Sequence, residues 1–386
     1  MKKLIILLLG LIAFLPTNAQ IRHEKFYDKA KSKPAVVGSF TNDSLRNGKW
    51  TWWHQNGTVY QQGTYENGVK VGTWKVFFDD GTKCAVEYHT GNGTNQEWYQ
   101  NGELKSEVDV VNGKKSGSYK SWYSNGQQHD EITYIDGSKE GAAREWHENG
   151  KLKFEGTYRN NELNGQGTWW TDRGFKDMEG LLVDGEQDGV WKFYWRTNGK
   201  LGIVGNYVNG VENGTWTYYY ETGEKWRAGE YQNGERQGVW TTWYENGAKL
   251  HEGRYVNGKE EGTWTAWYED GRTDYTGSFH NGLKNGSWKG YYDDGRVRYE
   301  MNYRDDVLDG LEIHYFHNGQ IETKESYRNG VREGKYERYN SAGKPEEIGN
   351  FVSGEKDGEW LWYNDLGKVE YSAKFQAGKM VSQKSK

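Results

Sequence analysis

A single cysteine, Cys84, stands in 386 residues, so no disulfide can form within the chain and the fold must hold without one. Aliphatic side chains are scarce. Hydrophobic residues reach only 34% while aromatics alone make up 16% of the chain, which leaves too little for a thick globular core. A basic excess is missing as well: the net charge is −5, which argues against bulk attraction to nucleic acid, and no nucleic-acid partner is expected. H-E-x-x-H, the phosphate-loop pattern G-x-x-x-x-G-K-[ST] and the nucleophile elbow G-x-S-x-G are all absent from the sequence. The sequence therefore offers no catalytic residue, no cofactor site and no metal site, and the chain is not expected to be an enzyme. What is present is aromatic. A mean hydropathy of −1.07 with 27% charge would suit disorder, but 20 Trp, 29 Tyr and 12 Phe do not.

Lys2 and Lys3 precede an apolar run from Leu4 to Leu15, and Thr17-Asn18-Ala19 follow, the layout of a secretory signal peptide over residues 1–19. Spanning a bilayer takes about 20 apolar residues. This run is shorter and no later one is apolar enough, so the protein is expected to be exported, to the periplasm, the outer surface or the medium, and not to be integral to a membrane. Loss of Lys2 and Lys3 makes the mature chain more acidic still.

Glycines recur from Gly48 through Gly72, Gly93 and onward to Gly358 in steps of 24 residues, broken once by 21 and once by 25. That is a repeat array of fourteen units, each burying surface only against its neighbours. Counted from its glycine, a unit reads G-x-W-x-x-[WYF]-[YFH]-x-[ND]-G, then mixed residues, then Gly-x-Tyr-x-Asn-Gly. The unit from Gly238 shows Trp240, Trp243, Tyr244, Asn246-Gly247, Gly253, Tyr255 and Asn257-Gly258. Asn-Gly and Asp-Gly pairs account for 27 of the 53 glycines and suit two-residue type I′ turns. The segments between them, seven or eight residues rich in aromatics and Thr, have the length of strands.

Each unit is thus one β-hairpin, and the fold is all-β: an elongated array of stacked antiparallel hairpins in a single-layer twisted sheet, about 130 Å long at the usual strand spacing. A turn at the ninth and tenth residues pairs Trp50 with Gly63, Trp216 with Gly229, Trp240 with Gly253 and Trp264 with Gly277, and the ring is expected to cover that cross-strand glycine. With the register glycine Gly48, these are the structural positions. The sixth residue is aromatic in every unit and points away from the third and seventh. Trp53, Trp98, Trp122, Trp146, Trp170, Trp243 and Trp267 are the tryptophans of that column and the candidate binding face. Residues 20–37 read as a mobile leader, with a capping strand somewhere in 34–47, residues 38–378 as the array and 379–386 as a polar tail.

Other polar clusters dissolve into the repeat. His54 and His147 replace the seventh-position aromatic, His314 and His317 fall on opposite strand faces, and Asp80 and Asp294 are turn residues before glycine. Asp305-Asp306 stands where most units have the second turn.

The run Gly253-Arg254-Tyr255-Val256-Asn257-Gly258-Lys259-Glu260-Glu261-Gly262-Thr263-Trp264 resembles the MORN repeat, and the added W-Y-x-N-G resembles its bacterial variant form, of which some members carry an antitoxin label. The resemblance covers about residues 38–378. Asn95, Ala143, Gly167 and Glu312 depart from it at the Trp position, and Val108, Ile132, Met301 and Glu325 at the glycine position, which marks repeats expected to be less regular or to receive a partner. The resemblance implies a stacked-hairpin sheet and a scaffolding or binding role without catalysis. The expected function is a non-catalytic exported scaffold for a protein or envelope partner. The alternatives are a module that binds glycans or phospholipid head groups, and an antitoxin or immunity protein acting by occlusion.

Overall fold

The computed structural model describes residues 20–385; the signal-peptide assignment at 1–19 lies outside them. Every regular element among the described residues is a β-strand, and every pairing is antiparallel. Two compact units are present, residues 20–174 and 175–385. In each, a strand pairs with the one before it and the one after it, as the hairpin repeat requires. The expected registers hold: Trp50 faces Gly63, Trp216 faces Gly229, Trp240 faces Gly253 and Trp264 faces Gly277.

The two turns of a unit are built differently, which corrects the single turn type read from the sequence. At the second turn both Asn257 (φ +49) and Gly258 (φ +75) lie in the left-handed region, a type I′ hairpin joining strands Lys249–Val256 and Lys259–Trp267. At the first, only Gly247 (φ +85) does. Tyr244 and Ala248 close that loop, and the Asn246 side-chain oxygen accepts the Ala248 N–H at 2.8 Å. Asp305 (φ +49) and Asp306 (φ +66) take the second-turn conformation without any glycine.

The register glycine opens a bulge. Ala228 pairs with Thr241 and Glu230 with Gln237, so residues 238–240 stand opposite Gly229 alone, with Gly238 at φ +70. This bulge positions the core. Trp50 and Trp74 in the first unit, and Trp191, Trp216, Trp240, Trp264, Trp288 and Trp360 in the second, are each at most 7% exposed. Tyrosines such as Tyr65 and Tyr255 wedge edge-on between them.

Both ends of the array differ from expectation. Instead of a mobile leader, Ile21–Phe26 forms a strand paired with Pro34–Phe40. The turn between them lacks Asn-Gly but is held by the Asp28 carboxylate, which accepts the Ser32 and Lys33 N–H groups. Pro34–Phe40 is therefore an inner strand. Of the polar tail, Lys379–Ser385 is a strand paired with Val369–Gln376 through an Ala377-Gly378 turn in which both residues have positive φ.

Candidate functional site

The tryptophan face is assembled across repeats. The ring that covers a glycine is not its register partner, as the sequence suggested, but the tryptophan of the following unit. A Cβ on Gly63 would lie 2.1 Å from Trp74; on Gly229, 2.2 Å from Trp240; and on Gly253, 2.0 Å from Trp264. No other residue type leaves room for the ring. The indole Nε1 then donates to the carbonyl of the residue after that glycine: Trp74 to Thr64 at 3.2 Å, Trp240 to Glu230 at 3.1 Å, Trp360 to Asn350 at 3.2 Å.

Over the exposed side of these rings lies a basic side chain that the sequence reading missed. Lys70 Nζ sits 4.2 Å from the Trp74 ring centre, Lys356 3.8 Å from Trp360, Lys284 4.6 Å from Trp288, and the Arg46 and Arg236 guanidinium carbons 5.0 Å from Trp50 and Trp240. All stand two residues before a register glycine, and that recurrence of Lys and Arg is readable in the sequence.

On the opposite face lie the predicted binding aromatics. Trp53, Trp98, Trp122, Trp146 and Trp170 in the first unit, and Trp243 and Trp267 in the second, are all half-buried. Charged neighbours stand beside them: Lys83 Nζ lies 5.7 Å from the Trp98 ring, and Lys249 reaches both Glu252 (2.8 Å) and the Trp267 ring (5.5 Å), while cross-strand ion pairs such as Arg144 with Glu155 at 2.7 Å and Lys289 with Glu300 at 2.8 Å recur along the sheet. The Lys249 ammonium holds the Glu252 carboxyl below its usual pKa. Burial, and then the hydrogen bond to Glu179, push the Tyr194 phenol above its usual range. The seventh-position residue ties one repeat to the next: Tyr99, Tyr220 and Tyr244 donate to the carbonyls of Trp122, Trp243 and Trp267 at 2.8–2.9 Å. His54 and His147 make the same link to Phe77 and Trp170.

The profile described as "MORN repeat variant" matches at residues 46–67, 92–112, 139–160, 212–233, 236–257, 284–305, 308–329, 332–353 and 356–377, together more than half of the sequence. The chain belongs to the MORN repeat variant family. A MORN array of this kind is a repeat binding scaffold. No curated protein sequence matches it. Among solved structures it is similar to a chain of the TcdB2-TccC3-Cdc42 crystal structure (11% identity, 90% of this chain, 24% of that one, TM-score 0.16). A second similarity is to the Tc holotoxin pore of Photorhabdus luminescens (11% identity, 89% and 23%, TM-score 0.16). The MORN chain spans about a quarter of the length of those chains.

Where a MORN unit departs from the pattern, polar groups gather. Asn95 stands at a tryptophan position, its side-chain oxygen accepting the Tyr88 N–H at 2.6 Å, beside a hollow of about 580 Å³. At its far end His129 Nδ1 lies 3.0 Å from Asp130 and Nε2 3.6 Å from Glu145. Three ligand atoms are thus close enough to share a cation. The Lys153 ammonium, 2.5 Å from Glu145, already supplies the positive charge there. Ser121 Oγ donates to Asp130 at 2.8 Å, and Asp130 approaches the same histidine nitrogen that faces the serine. The Ser121 hydroxyl spends its proton on Asp130 and stands 3.4 Å from His129 Nδ1, and the carboxylate at the other ring nitrogen, Glu145, is 3.6 Å away and paired with Lys153, so the three do not form the hydrogen-bonded relay of a nucleophilic triad.

Proposed function

We propose that the protein is an exported, non-catalytic scaffold that offers the face of its sixth-position aromatics to a protein or cell-envelope partner. One observation carries this reading. The third-position tryptophans are consumed by self-packing on glycine beneath basic side chains, whereas Trp53, Trp98, Trp122, Trp146, Trp170, Trp243 and Trp267 stay half-buried in a frame of alternating charge. Aromatic anchors within a polar rim are what protein interfaces use. The layout of residues 1–19 supports export.

The test is capture from envelope fractions with the wild-type array and with a Trp243→Ser/Trp267→Ser variant whose melting and circular dichroism are checked in parallel. A partner retained at fixed stoichiometry by the wild type and lost from the folded variant is expected. Equal recovery by both, or no partner at all, removes the reading. Fusion of residues 1–19 to a reporter active only outside the cytoplasm tests export separately.

A further inference from the structure

In the second unit the tryptophan face has a gap at Thr242. The fifth residue of a repeat adds a second ring beside the tryptophan: Phe193 lies 6.1 Å from Trp191 and Tyr218 6.2 Å from Trp216. In the next repeat that residue is Thr242, and its cross-strand partners on either side are Arg227 and His251. Where the fifth residue is small further along, as at Gly290, an aromatic fills the space, since a Cβ there would touch Tyr299. At Thr242 none does, and a hollow of about 270 Å³ remains.

Some polar groups around it are unsatisfied. Among the described residues, three buried side-chain polar atoms lack a hydrogen-bond partner: Arg227 Nε, His251 Nδ1 and Trp264 Nε1. All three residues line this one hollow. Such atoms each cost stability when left unmatched. Arg236 also lines it, and no carboxylate does. Both guanidiniums are held by aromatic contacts in place of ion pairs, Arg227 4.4 Å from the Tyr218 ring centre and Arg236 bonded to the Tyr255 hydroxyl at 3.1 Å. Burial keeps His251 below its usual pKa, so the imidazole is neutral and can accept as well as donate. Trp226, 39% exposed, also lines it and offers an aromatic face to solvent.

We propose that this hollow binds a uronic-acid ring, with the carboxylate on Arg227 and Arg236, ring hydroxyls on His251 and Thr242, and an apolar ring face on Trp226. The net positive lining requires an anion, and planar guanidiniums suit a carboxylate. Polar atoms on the remaining walls require hydroxyls, which a plain aromatic acid lacks. The volume lies at the small end of ligand pockets and fits one ring. The proposal goes beyond the scaffold reading and can fail without it.

The experiment is a titration of the full chain, followed by tryptophan fluorescence and calorimetry, with glucuronate, methyl glucuronoside, glucose, benzoate and inorganic phosphate. Saturable binding of glucuronate, at least tenfold weaker with glucose and with benzoate, is expected. Arg227→Gln should weaken it tenfold or more. Thr242→Tyr, which restores the ring found at Tyr218, should abolish it without lowering the melting temperature. Equal affinity for methyl glucuronoside places the ligand at a glycan terminus, while binding of the free acid alone makes it a monosaccharide. No saturable glucuronate signal, glucose or benzoate binding as tight as glucuronate, phosphate binding more tightly, or indifference to both substitutions overturns the assignment.

Discussion

Residues 176–291 and residues 85–145 carry the same repeat with opposite habits. In the first stretch Trp191, Trp216, Trp240, Trp264 and Trp288 sit on Gly180, Gly205, Gly229, Gly253 and Gly277 without a break. In the second, Glu87, Val108 and Ile132 take the glycine positions, and Asn95, Tyr119 and Ala143 the following tryptophan positions, eight residues on at the shortened repeat and eleven at the other two. There the packing is rebuilt from Ile132, Ala143 and Phe154 with Tyr119, Tyr134 and Trp169 around them. Ring and glycine are thus one structural unit shared between consecutive repeats. A side chain on one strand displaces the indole of the next, and where the indole is gone but the glycine stays, as at Gly156, another ring uses the space: a Cβ there would lie 2.6 Å from Phe154. Met301 with Glu312 and Glu325 with Tyr336 repeat the exchange.

The sharpest way to break this comparison is at Gly63 and Trp74. Trp74→Ala should cost about 3–5 kcal/mol, and Gly63→Val about 1–3 kcal/mol by overpacking. The double variant should cost less than their sum by about 1–3 kcal/mol. Denaturant melts of all four proteins give the coupling, and strict additivity would show the two sites to be independent. The converse exchange tests the other stretch. Val108→Gly alone should lose about 2 kcal/mol through cavity and backbone freedom, and adding Tyr119→Trp should recover part of it. A further loss in the double variant would mean that the bulge there no longer accepts an indole.

Smaller effects separate the two turns. Asn257→Ala forces alanine into the left-handed region and should cost about 1–2 kcal/mol, while Asn257→Gly should be close to neutral. At Asn246 glycine should not be neutral, because the side-chain bonds to Ala248 and Glu269 are lost, about 1 kcal/mol. Matching losses for Asn246→Gly and Asn257→Gly would erase the distinction between the turns.

Smallest is a contrast of two histidines in thermal melts from pH 5 to 8. Burial lowers the folded pKa of His251, so its contribution is present above the ordinary histidine pKa, about 6.5, and is lost as pH falls below it toward the folded value. The hydrogen bond to Glu312 raises that of His314, so its contribution is present below the ordinary pKa and lost as pH rises through the folded value. His251→Phe should flatten the acid side of the profile and His314→Phe the alkaline side; changes on the reversed sides would contradict both assignments.

Strand order, hairpin register and the alternation of faces were legible because they follow from local rules: positive φ at Asn-Gly and Asp-Gly, and a period of two along each strand. The seat of each tryptophan was misread because it depends on a bulge, which moves the ring from its register partner to the strand before. The joint replacement of Glu87 with Asn95 and Val108 with Tyr119 was a visible clue to the true offset. Residues 20–37 were misread because Asp28 closes their turn in place of the Asn-Gly signature. The Arg227–His251 hollow follows from a ring missing at Thr242, and a vacancy becomes visible only when the surrounding column is aligned in space.

Because each indole reaches back to the strand before it, the array has a direction of closure. A hairpin that has just formed leaves one strip of main chain bare until the next stretch of polypeptide arrives to seal it, as Trp74 does for Gly63 and Trp360 for Gly349. Synthesis from the amino terminus therefore delivers each seal in the order needed. At Ala373, where the residue eleven positions on is Lys384, a methyl group already occupies the place of the missing indole.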